Sequence, residues 1–385
     1  MIIGINALSI FPGVSGGGET YFVNLIKHLS IIDKKNQYFL FVNDTNHHLF
    51  PGDNNFIKIF CPASKKRLLF RIIWEQLFLP FYVKKHKIDL LFSPTNISPV
   101  LWLPSKLVLN ICDIYWAHFG ECFSRIEYLF LKYLILLSAI KADKIISISE
   151  YTKTEIVKYT KASSAKIKAV YLGRGNILDL NVDFNGKEYP LLKKIEGKYI
   201  LTVGRTHQHK NYINLIAAFK ILRKNKGFSC KLVISGIPGR QHNELMAKIK
   251  SENLESEIFL TGWVDNHDLY HLYKKAELFV FPSTYEGFGL PLLEAMSFGI
   301  PVVCSNITAL PEIGGDAVLC FDPLNVNDIA EKISIVLSSD EIKNELIEKG
   351  KERVKFFNWE ETARQTLKVF EETCNNTAKN RRSLS

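Results

Sequence analysis

Glu286 and Glu294 stand on either side of a glycine-rich turn, and their type and spacing indicate chemistry more clearly than any other pair in the chain. Gly287 and Gly289 permit a tight turn that exposes backbone amides, and Pro291 suits the first turn of a helix. The N-terminus of a helix offers N–H donors and a positive dipole end to a phosphate. We therefore expect Glu294 to accept ribose hydroxyls of the same ligand, and Glu286 to lie nearer its sugar.

Arg205 and Lys210 follow Gly204 at the end of a short apolar segment. Arginine can hold a phosphate with a fork of N–H donors, and lysine binds it as a point charge. The two cations are expected to bind a diphosphate and to neutralise the charge that develops on it as a bond breaks. The alternative is a pair of ordinary surface cations.

Metal and ATP-binding signatures are missing from the sequence, which has no Asp-x-Asp pair and no Gly-x4-Gly-Lys-[Ser/Thr] loop. His267 and His271 are one helical turn apart, as in zinc-binding helices, but the acid between them is Asp268 rather than glutamate. His207 and His209 lie on the expected phosphate loop. We expect no metal at either place.

Short apolar strands that alternate with helical segments must position these residues. In the first half of the chain the predicted strands lie at 1–6, 39–42, 89–92, 107–111 and 144–148. After a polar stretch at about 174–197, the predicted linker, strands recur at 199–203, 231–236, 258–260, 278–281 and 301–304. This alternation predicts two α/β domains with mostly parallel sheets. Ligands bind outside the carboxyl ends of such strands.

Composition indicates a folded protein without a membrane span or a disulfide framework. No apolar run reaches the roughly 18 residues that a membrane-spanning helix needs, and the N-terminus has no signal-peptide pattern. A cytoplasmic location is therefore expected. Seven cysteines without a Cys-x-x-Cys pair indicate reduced thiols.

The net charge of +10 is concentrated in the first half of the chain. Residues 1–190 hold 23 Lys and Arg against 15 Asp and Glu, and residues 191–385 hold 26 against 24. Nucleic acid, an anionic membrane or an anionic substrate would explain this excess, as would a solvated basic surface.

The segment 65–87 combines cations with aromatic and aliphatic residues, a pattern typical of an interfacial helix pair. Its cations are expected to face anionic lipid or a pyrophosphate-linked acceptor. Its apolar side chains are instead expected in the core: Leu68, Leu69, Ile72, Ile73, Leu77 and Phe78.

Several segments, in the right order, resemble motifs of the family 4 glycosyltransferases, which are retaining enzymes. Glu286 and Glu294 match the ends of the family's Glu-x7-Glu motif. Trp74 to Pro80 is similar to Trp-Glu-Gln-x-x-Leu-Pro in mannosyltransferase-like members. Further matches lie at Gly16–Glu19, Ser147–Thr152, Gly204–Asn211 and Ser305–Ala317.

The resemblance implies an α/β protein of the GT-B fold, in which two Rossmann-like domains with parallel sheets face a central cleft. The first domain, 1–175, is expected to bind the acceptor, and the second, 190–355, the nucleotide-sugar. A helix at about 356–374 is expected to return to the first domain. Residues 375–385 are expected to form a disordered tail.

The resemblance also implies roles for individual residues. Glu286 is expected to orient the transferred sugar as a catalytic residue. Cys112 stands before Asp113 where the family usually has a histidine that contacts the sugar, and cysteine is a poor hydrogen-bond partner. Asp113 and His118 are the remaining catalytic candidates in this region. The residues expected to bind the donor are Gly17, Gly18, Arg205, Lys210, Gly287, Phe288, Gly289, Leu290 and Glu294.

The function implied is transfer of a hexose from a nucleotide-sugar to a lipid-linked or oligosaccharide acceptor of a bacterial surface polysaccharide, such as O-antigen or capsule. GDP-mannose is the favoured donor and a UDP-hexose the alternative. No cofactor is expected, and the partners are these substrates and an anionic surface at the inner face of the membrane. A nucleotide-sugar epimerase on the same fold is a second interpretation. A nucleic-acid-binding protein is a third, for which no motif is present.

Overall fold

The computed structural model describes residues 1–13, 16–52, 55–62, 68–175, 177, 194–224 and 228–382, of which 68–69 and 376–382 are described by their backbone alone. The chain divides into two compact units: Met1–Gly173 with Asn358–Ser385, and Arg174–Phe357. The first unit ends two residues before the expected bound of 175. Most of the expected linker, at 178–193, lies outside the described residues, as do residues 65–67 of the basic segment.

The first unit is built on a seven-stranded sheet in which every neighbouring pair of strands is parallel. The order across the sheet is β3-β2-β1-β4-β5-β6-β7. The sequence patterns missed β3 and β7, because β3 carries the polar Lys58 and β7 has only three residues. The strands are β1 (Ile2–Asn6), β2 (Gln37–Val42), β3 (Phe56–Phe60), β4 (Leu90–Ser93), β5 (Lys106–Ile111), β6 (Lys144–Ser147) and β7 (Ile167–Ala169).

Helices connect these strands and cover the sheet. In α1 the apolar residues Phe22, Leu25, Ile26 and Leu29 recur at helical spacing, and all four are fully buried. The pattern read from the sequence is therefore confirmed for α1. The helices are α1 (Gly17–Ile32), α2 (Leu68–Leu77), α3 (Leu79–Lys85), α4 (Tyr115–His118), α5 (Arg125–Lys141) and α6 (Glu150–Thr160).

The C-terminal helix, Trp359–Arg382, belongs to the first unit and packs against α1. It begins at Trp359 rather than near residue 356, because the Asn358 side chain accepts a hydrogen bond from the Glu360 backbone N–H at 2.7 Å. Phe370 of this helix is fully buried, with its ring 5.1 Å from that of Phe92.

The expected disordered tail at 375–385 is helical as far as Arg382, and residues 383–385 lie outside the described part of the chain. The expectation rested on the polar composition of the tail. Extending a helix that has already formed costs much less free energy than starting one. Polar residues can therefore continue a helix that tertiary packing has nucleated.

The second unit repeats the architecture with six parallel strands in the order β10-β9-β8-β11-β12-β13. The predicted α/β class with parallel sheets is thus confirmed for each unit. The strands are β8 (Tyr199–Val203), β9 (Lys231–Ser235), β10 (Ile258–Gly262), β11 (Leu278–Phe281), β12 (Val302–Ser305) and β13 (Val318–Phe321). The helices are α7 (Tyr212–Arg223), α8 (His242–Ser251), α9 (Asn266–Lys274), α10 (Leu290–Ser297), α11 (Leu310–Gly314), α12 (Val326–Ser338) and α13 (Asp340–Val354).

The expected burial of the apolar residues in α2 is only partly correct. Ile72 is buried, but Ile73, Leu77 and Phe78 are each almost half exposed. Residues one position apart on a helix point about 100° apart, so the face that buries Ile72 turns Ile73 and Leu77 outward. The side chains of Leu68 and Leu69 lie outside the described atoms.

Two further observations concern the membrane and the thiols. Within the described ranges, every helix is either too short or too polar to cross a bilayer. All seven cysteines are free thiols.

Phe370→Ala should lower the free energy of unfolding by about 3–5 kcal/mol, because it leaves a cavity between the C-terminal helix and Phe92. Phe356→Ala is the matched control, since that ring is 73% exposed, and it should change stability by no more than about 0.5 kcal/mol. Urea denaturation followed by circular dichroism measures both. Equal effects of the two substitutions would contradict the packing of the C-terminal helix described above.

Candidate functional site

The candidate site of the second unit lies at the carboxyl ends of β8 and β11, which are parallel neighbours in the sheet. Gly204 follows β8, and the stretch that leads to Glu286 follows β11. The loops after adjacent parallel strands emerge at the same edge of a sheet, where ligands of such folds bind. The topology therefore brings the two sequence motifs together.

Lys210 and Glu286 form an ion pair that joins the two loops. The Lys210 Nζ lies 2.6 Å from the Glu286 Oε1, and their side chains are only 12% and 15% exposed. The same ammonium lies 5.0 Å from the centroid of the Phe281 ring. A backbone hydrogen bond of 2.7 Å from the Thr284 N–H to the His209 carbonyl holds the loops in this register. Two residues that stand 76 positions apart thus form one charged centre.

Glycine is favoured at position 204 because Lys210 lies so close to it that a side chain would have little room. Its φ of +155° disfavours side chains, and a Cβ there would lie 3.0 Å from both the Lys210 Cε and the Tyr212 hydroxyl. The Tyr212 hydroxyl donates to the Gly204 carbonyl at 3.2 Å. Asn211 takes a left-handed conformation at φ +57°, and its amide donates to the Pro323 carbonyl at 2.7 Å. This geometry explains why a glycine precedes the lysine and an asparagine follows it.

The loop after β8 carries a concentration of positive charge. Burial lowers the pKa of His207, and three nearby cations lower it further: Arg205, Arg240 and Lys210. Burial, together with Lys210 and His207, lowers the pKa of His209 to about 3. Both imidazoles are therefore uncharged at neutral pH. The cations that add to the effect of burial on these two pKa values would also attract a phosphate.

The turn after Glu286 has the predicted form. Gly289, at φ +113°, caps α10, and a Cβ there would lie 2.9 Å from the Leu310 side chain. The helix begins at Leu290, as predicted. Phe288 and Leu290 are buried, and the Phe288 ring lies 5.8 Å from that of Phe357. Their side chains hold the turn in place, so only their backbone is available for a ligand, whereas Gly287 is partly exposed.

Glu294 is held by Tyr273, a contact that the sequence analysis missed. The Tyr273 hydroxyl donates to the Glu294 Oε2 at 2.8 Å, and the ring is fully buried on α9. Desolvation raises the pKa of Glu294 to about 7, although the hydrogen bond from Tyr273 opposes it. Gly175 leaves room for the carboxyl, since a Cβ there would lie 2.1 Å from the Glu294 Oε1. Tyr273 has the spacing of an ordinary buried helical residue, so its sequence gives no sign of this role.

In the first unit, Gly17 and Gly18 form the start of α1, at the carboxyl end of β1. Gly16 has φ +54°, and a Cβ added to Gly16 or Gly18 would meet no atom of the described residues within 4 Å. The Glu19 carboxylate accepts a hydrogen bond from the Gly13 N–H at 2.8 Å. Glu19 therefore ties the two ends of the loop, and among the described residues no side chain crowds Gly16 or Gly18.

Asp113 and His118 are held by different neighbours in the same unit. The Asp113 carboxylate accepts a hydrogen bond from the Tyr115 N–H at 3.0 Å, at the start of α4. The His118 Nε2 pairs with the Glu155 carboxylate on α6, and its ring lies 5.3 Å from that of Tyr159. The hydrogen bond to Glu155 fixes the direction of the imidazole.

Cys112 belongs to a polar network that the sequence analysis missed. Its Sγ accepts a hydrogen bond from the Asn110 amide at 3.0 Å, and the Asn110 Oδ1 accepts one from the Tyr21 hydroxyl at 3.3 Å. Burial and Asp113 raise the pKa of the Cys112 thiol to about 12. The thiol is therefore protonated at neutral pH and is not a nucleophile.

Among the described residues, one group could surround a metal ion: Asp265, His267 and Asp268 have possible ligand atoms within 4.8 Å of one another. Asp265 is exposed and caps α9 by accepting a hydrogen bond from the Asp268 N–H at 2.8 Å. This arrangement is explained by helix capping.

The raised pKa of Glu294 predicts a pH-dependent stability. Between the ordinary carboxyl pKa and about 7, the folded chain retains a proton that the unfolded chain has released, so stability falls as pH rises through this window. Glu294→Gln should remove that slope, and Tyr273→Phe should extend it above pH 7. Thermal melting from pH 5 to pH 8 tests this, and identical slopes for the wild type and Glu294→Gln would contradict it.

Two family models match the chain in succession. The model described as Glycosyltransferase Family 4 matches residues 15–174, and the model described as Glycosyl transferases group 1 matches residues 188–353. The first match falls on the first unit and the second on the second unit.

Individual relatives agree with these matches. The O-antigen chain mannosyltransferase B of Escherichia coli is 34% identical over 232 residues, which cover 60% of this chain and only 60% of that relative. An N-acetylgalactosaminyltransferase of Campylobacter jejuni is 30% identical over 373 residues, which cover 92% of this chain and 96% of that relative.

The structure of sucrose-phosphate synthase from Thermosynechococcus elongatus has a TM-score of 0.72 at 19% identity, and the match covers 97% of this chain and 98% of that one. This likeness shows the fold, which is GT-B. Since the two family models and a relative matched along nearly its full length agree, the chain belongs to the family 4, or group 1, glycosyltransferases.

Proposed function

We propose that the enzyme transfers a hexose from a nucleotide-sugar, with retention of its anomeric configuration, to a lipid-linked or oligosaccharide acceptor during the synthesis of a bacterial surface polysaccharide. The single observation that carries the proposal is the Lys210–Glu286 pair at the strand ends of the second unit. It supports the proposal because a cation suited to bind phosphate lies directly beside a carboxylate suited to orient a sugar.

The cations of the loop after β8 provide the site for the diphosphate. Lys210 offers a point charge, and Arg205 offers a bidentate fork. His207 and His209 are uncharged at neutral pH, so they do not compete with these residues for the phosphate. As the bond to the sugar breaks, Arg205 and Lys210 stabilise the charge on the departing nucleoside diphosphate. We propose that this neutralisation proceeds without a metal ion.

Glu286 acts on the sugar that this diphosphate carries. The sugar C1 is bonded to the β-phosphate, so a carboxylate 2.6 Å from the phosphate-binding ammonium lies beside the ring. We propose that Glu286 accepts hydrogen bonds from its hydroxyls and thereby fixes the position of C1. Glu294, held by Tyr273, accepts the ribose hydroxyls at the other end of the donor.

The reaction proceeds by attack from the face that the diphosphate leaves. The acceptor oxygen forms a bond to C1 while the bond from C1 to the diphosphate oxygen breaks, and its electron pair stays on the phosphate. The acceptor proton passes to the departing diphosphate. Because the new bond forms on the same face, the configuration is retained without a covalent glycosyl-enzyme.

Two of the relatives support a particular donor and acceptor for this enzyme. An O-antigen mannosyltransferase is among them, which supports GDP-mannose as the donor. The name of the Campylobacter relative describes an acceptor on diphospho-undecaprenol and transfer of N-acetylgalactosamine, which supports a lipid-linked acceptor and leaves a UDP-hexose as the alternative donor. With such an acceptor, the enzyme acts in the cytoplasm, at the inner face of the membrane.

Thermal stabilisation by a panel of nucleotides identifies the donor base, because a ligand that binds only the folded state raises the melting temperature. We expect GDP to stabilise the protein more than UDP or ADP.

The matching nucleotide-sugar and an acceptor extract should then give free nucleoside diphosphate and a product whose anomeric configuration is that of the donor. An epimerised donor without transfer, or an inverted product, would overturn the proposal.

Substitution of the two glutamates should separate their roles. Glu294→Ala should raise the donor KM with little change in kcat, because contacts to the ribose are the same before and during the reaction. Glu286→Ala should lower kcat by a factor on the order of 10² or more, because it acts beside the reacting carbon. Steady-state kinetics of both variants measures this. A Glu286→Ala enzyme with normal kcat and only a raised KM would contradict the separate roles proposed for Glu286 and Glu294.

A further inference from the structure

The helix α5 exposes a continuous apolar stripe. Six of its residues are between 39% and 82% exposed: Ile126, Leu129, Phe130, Tyr133, Leu137 and Ile140. Their spacing places them on one face, along about 21 Å of helix at 1.5 Å per residue. The opposite face of α5 is buried through Leu134, Ile135 and Ala139. α5 is therefore apolar on both sides, whereas the outer face of a helix in a water-soluble protein is ordinarily polar.

A second exposed apolar segment adjoins this stripe. On α2 and α3, Ile73, Leu77 and Phe81 are each more than 45% exposed, and the Phe81 ring lies 5.3 Å from that of Trp102. The residue beside Trp102, Leu101, is two-thirds exposed, and its carbonyl accepts a hydrogen bond from Lys141 of α5 at 3.3 Å.

The same helices also share a buried core. Ile72 of α2 and Leu134 of α5 pack in one cluster with Val100, so α2 and α5 are neighbours. We call the exposed stripe of α5, the exposed residues of α2 and α3, and Leu101 with Trp102 the apolar face. Exposed apolar surfaces of this extent mark interaction sites.

The charges around the apolar face are predominantly positive. Lys84 and Lys85 end α3 and are exposed, and Lys141 ends α5 and is exposed. α2, α3 and α5 carry two carboxylates against six Lys and Arg residues. Glu75 is buried against Arg71 at 2.8 Å, and Glu127 is held in the capping box at the start of α5.

Apolar side chains bordered by lysines, on helices where cations outnumber carboxylates, match the surface of an anionic bilayer. The apolar groups enter the boundary of the acyl chains, and lysines extend toward the phosphates of the headgroups. A second copy of this chain would instead bring the lysines of two such faces together. Charge complementarity therefore favours lipid as the occupant.

We propose that the apolar face docks the first unit on an anionic lipid surface, with α5 lying in the plane of the membrane. The inference rests on the proposed function in one respect, that a lipid-linked acceptor would be presented at that surface. It differs from the sequence-based expectation, in which only the cations face the lipid and the apolar residues of α2 are core.

Vesicle co-sedimentation tests the docking. The full-length wild type should bind vesicles of phosphatidylcholine with phosphatidylglycerol, and should bind phosphatidylcholine alone at least tenfold more weakly. Ile126→Gln combined with Phe130→Gln should weaken binding to the anionic vesicles more than tenfold, because both side chains are exposed and belong to the stripe. Lys84→Gln combined with Lys85→Gln should weaken it mainly at low salt.

A matched control replaces two exposed apolar residues of the second unit, Met246 and Leu324, with glutamine, and should bind vesicles as the wild type does. Equal binding by wild type and the Ile126/Phe130 variant would overturn the proposal. The proposal would also be overturned if the wild type did not bind vesicles but eluted from a sizing column as a dimer, and if the Ile126/Phe130 variant eluted as a monomer. The apolar face would then bind a second copy of the chain. Nucleoside diphosphate binding, measured on the same samples, separates a failure of docking from a failure of the proposed function.

Discussion

The ion pair between Lys210 and Glu286 is the interaction on which the site of the second unit depends. Removing two charges from water costs several kcal/mol per ion, and the attraction between them offsets this only when the geometry is good. The surrounding residues secure that geometry. Gly204 leaves the space that Lys210 occupies, and the hydrogen bond from Thr284 to the His209 carbonyl fixes the loops relative to each other. The presence of this costly pair at the ends of two strands supports the proposal that a charged substrate binds there.

The local backbone geometry around this ion pair could be predicted from the sequence. Positions 204 and 289 have unusual backbone conformations that favour glycine, so each can be recognised from a single residue of the sequence. The hydrogen bond from Tyr273 to Glu294 joins residues on two helices, 21 positions apart, and no local pattern reports it. The Asn110–Cys112 network is likewise hidden, because an asparagine in a strand gives no sign of its partner. β7 was missed because its three residues are too few for a pattern, and β13, with four residues, was missed as well.

The apolar face shows where periodicity fails for a physical reason. Apolar spacing identifies a helical face, but it does not say which side the core covers when both sides are apolar. The sequence pattern therefore predicts Ile73, Leu77 and Phe78 in the core, whereas the structure exposes them. Such a surface would suit the lipid-linked acceptor that we propose. On this proposal, the second unit carries the phosphate chemistry and the first unit carries the lipid contact.

The most direct test of the central claim is calorimetric titration of GDP and UDP into Lys210→Ala, with Lys220→Ala as the matched control. Lys220, in the last turn of α7, is exposed and pairs with Glu252, so its loss should leave nucleotide binding unchanged. The account predicts that Lys210→Ala weakens binding of the preferred nucleoside diphosphate by about 1.5–3 kcal/mol, the scale of a charged hydrogen bond, or roughly 10- to 150-fold. Wild-type affinity in Lys210→Ala would contradict the assignment of the ion pair as the centre of the donor site.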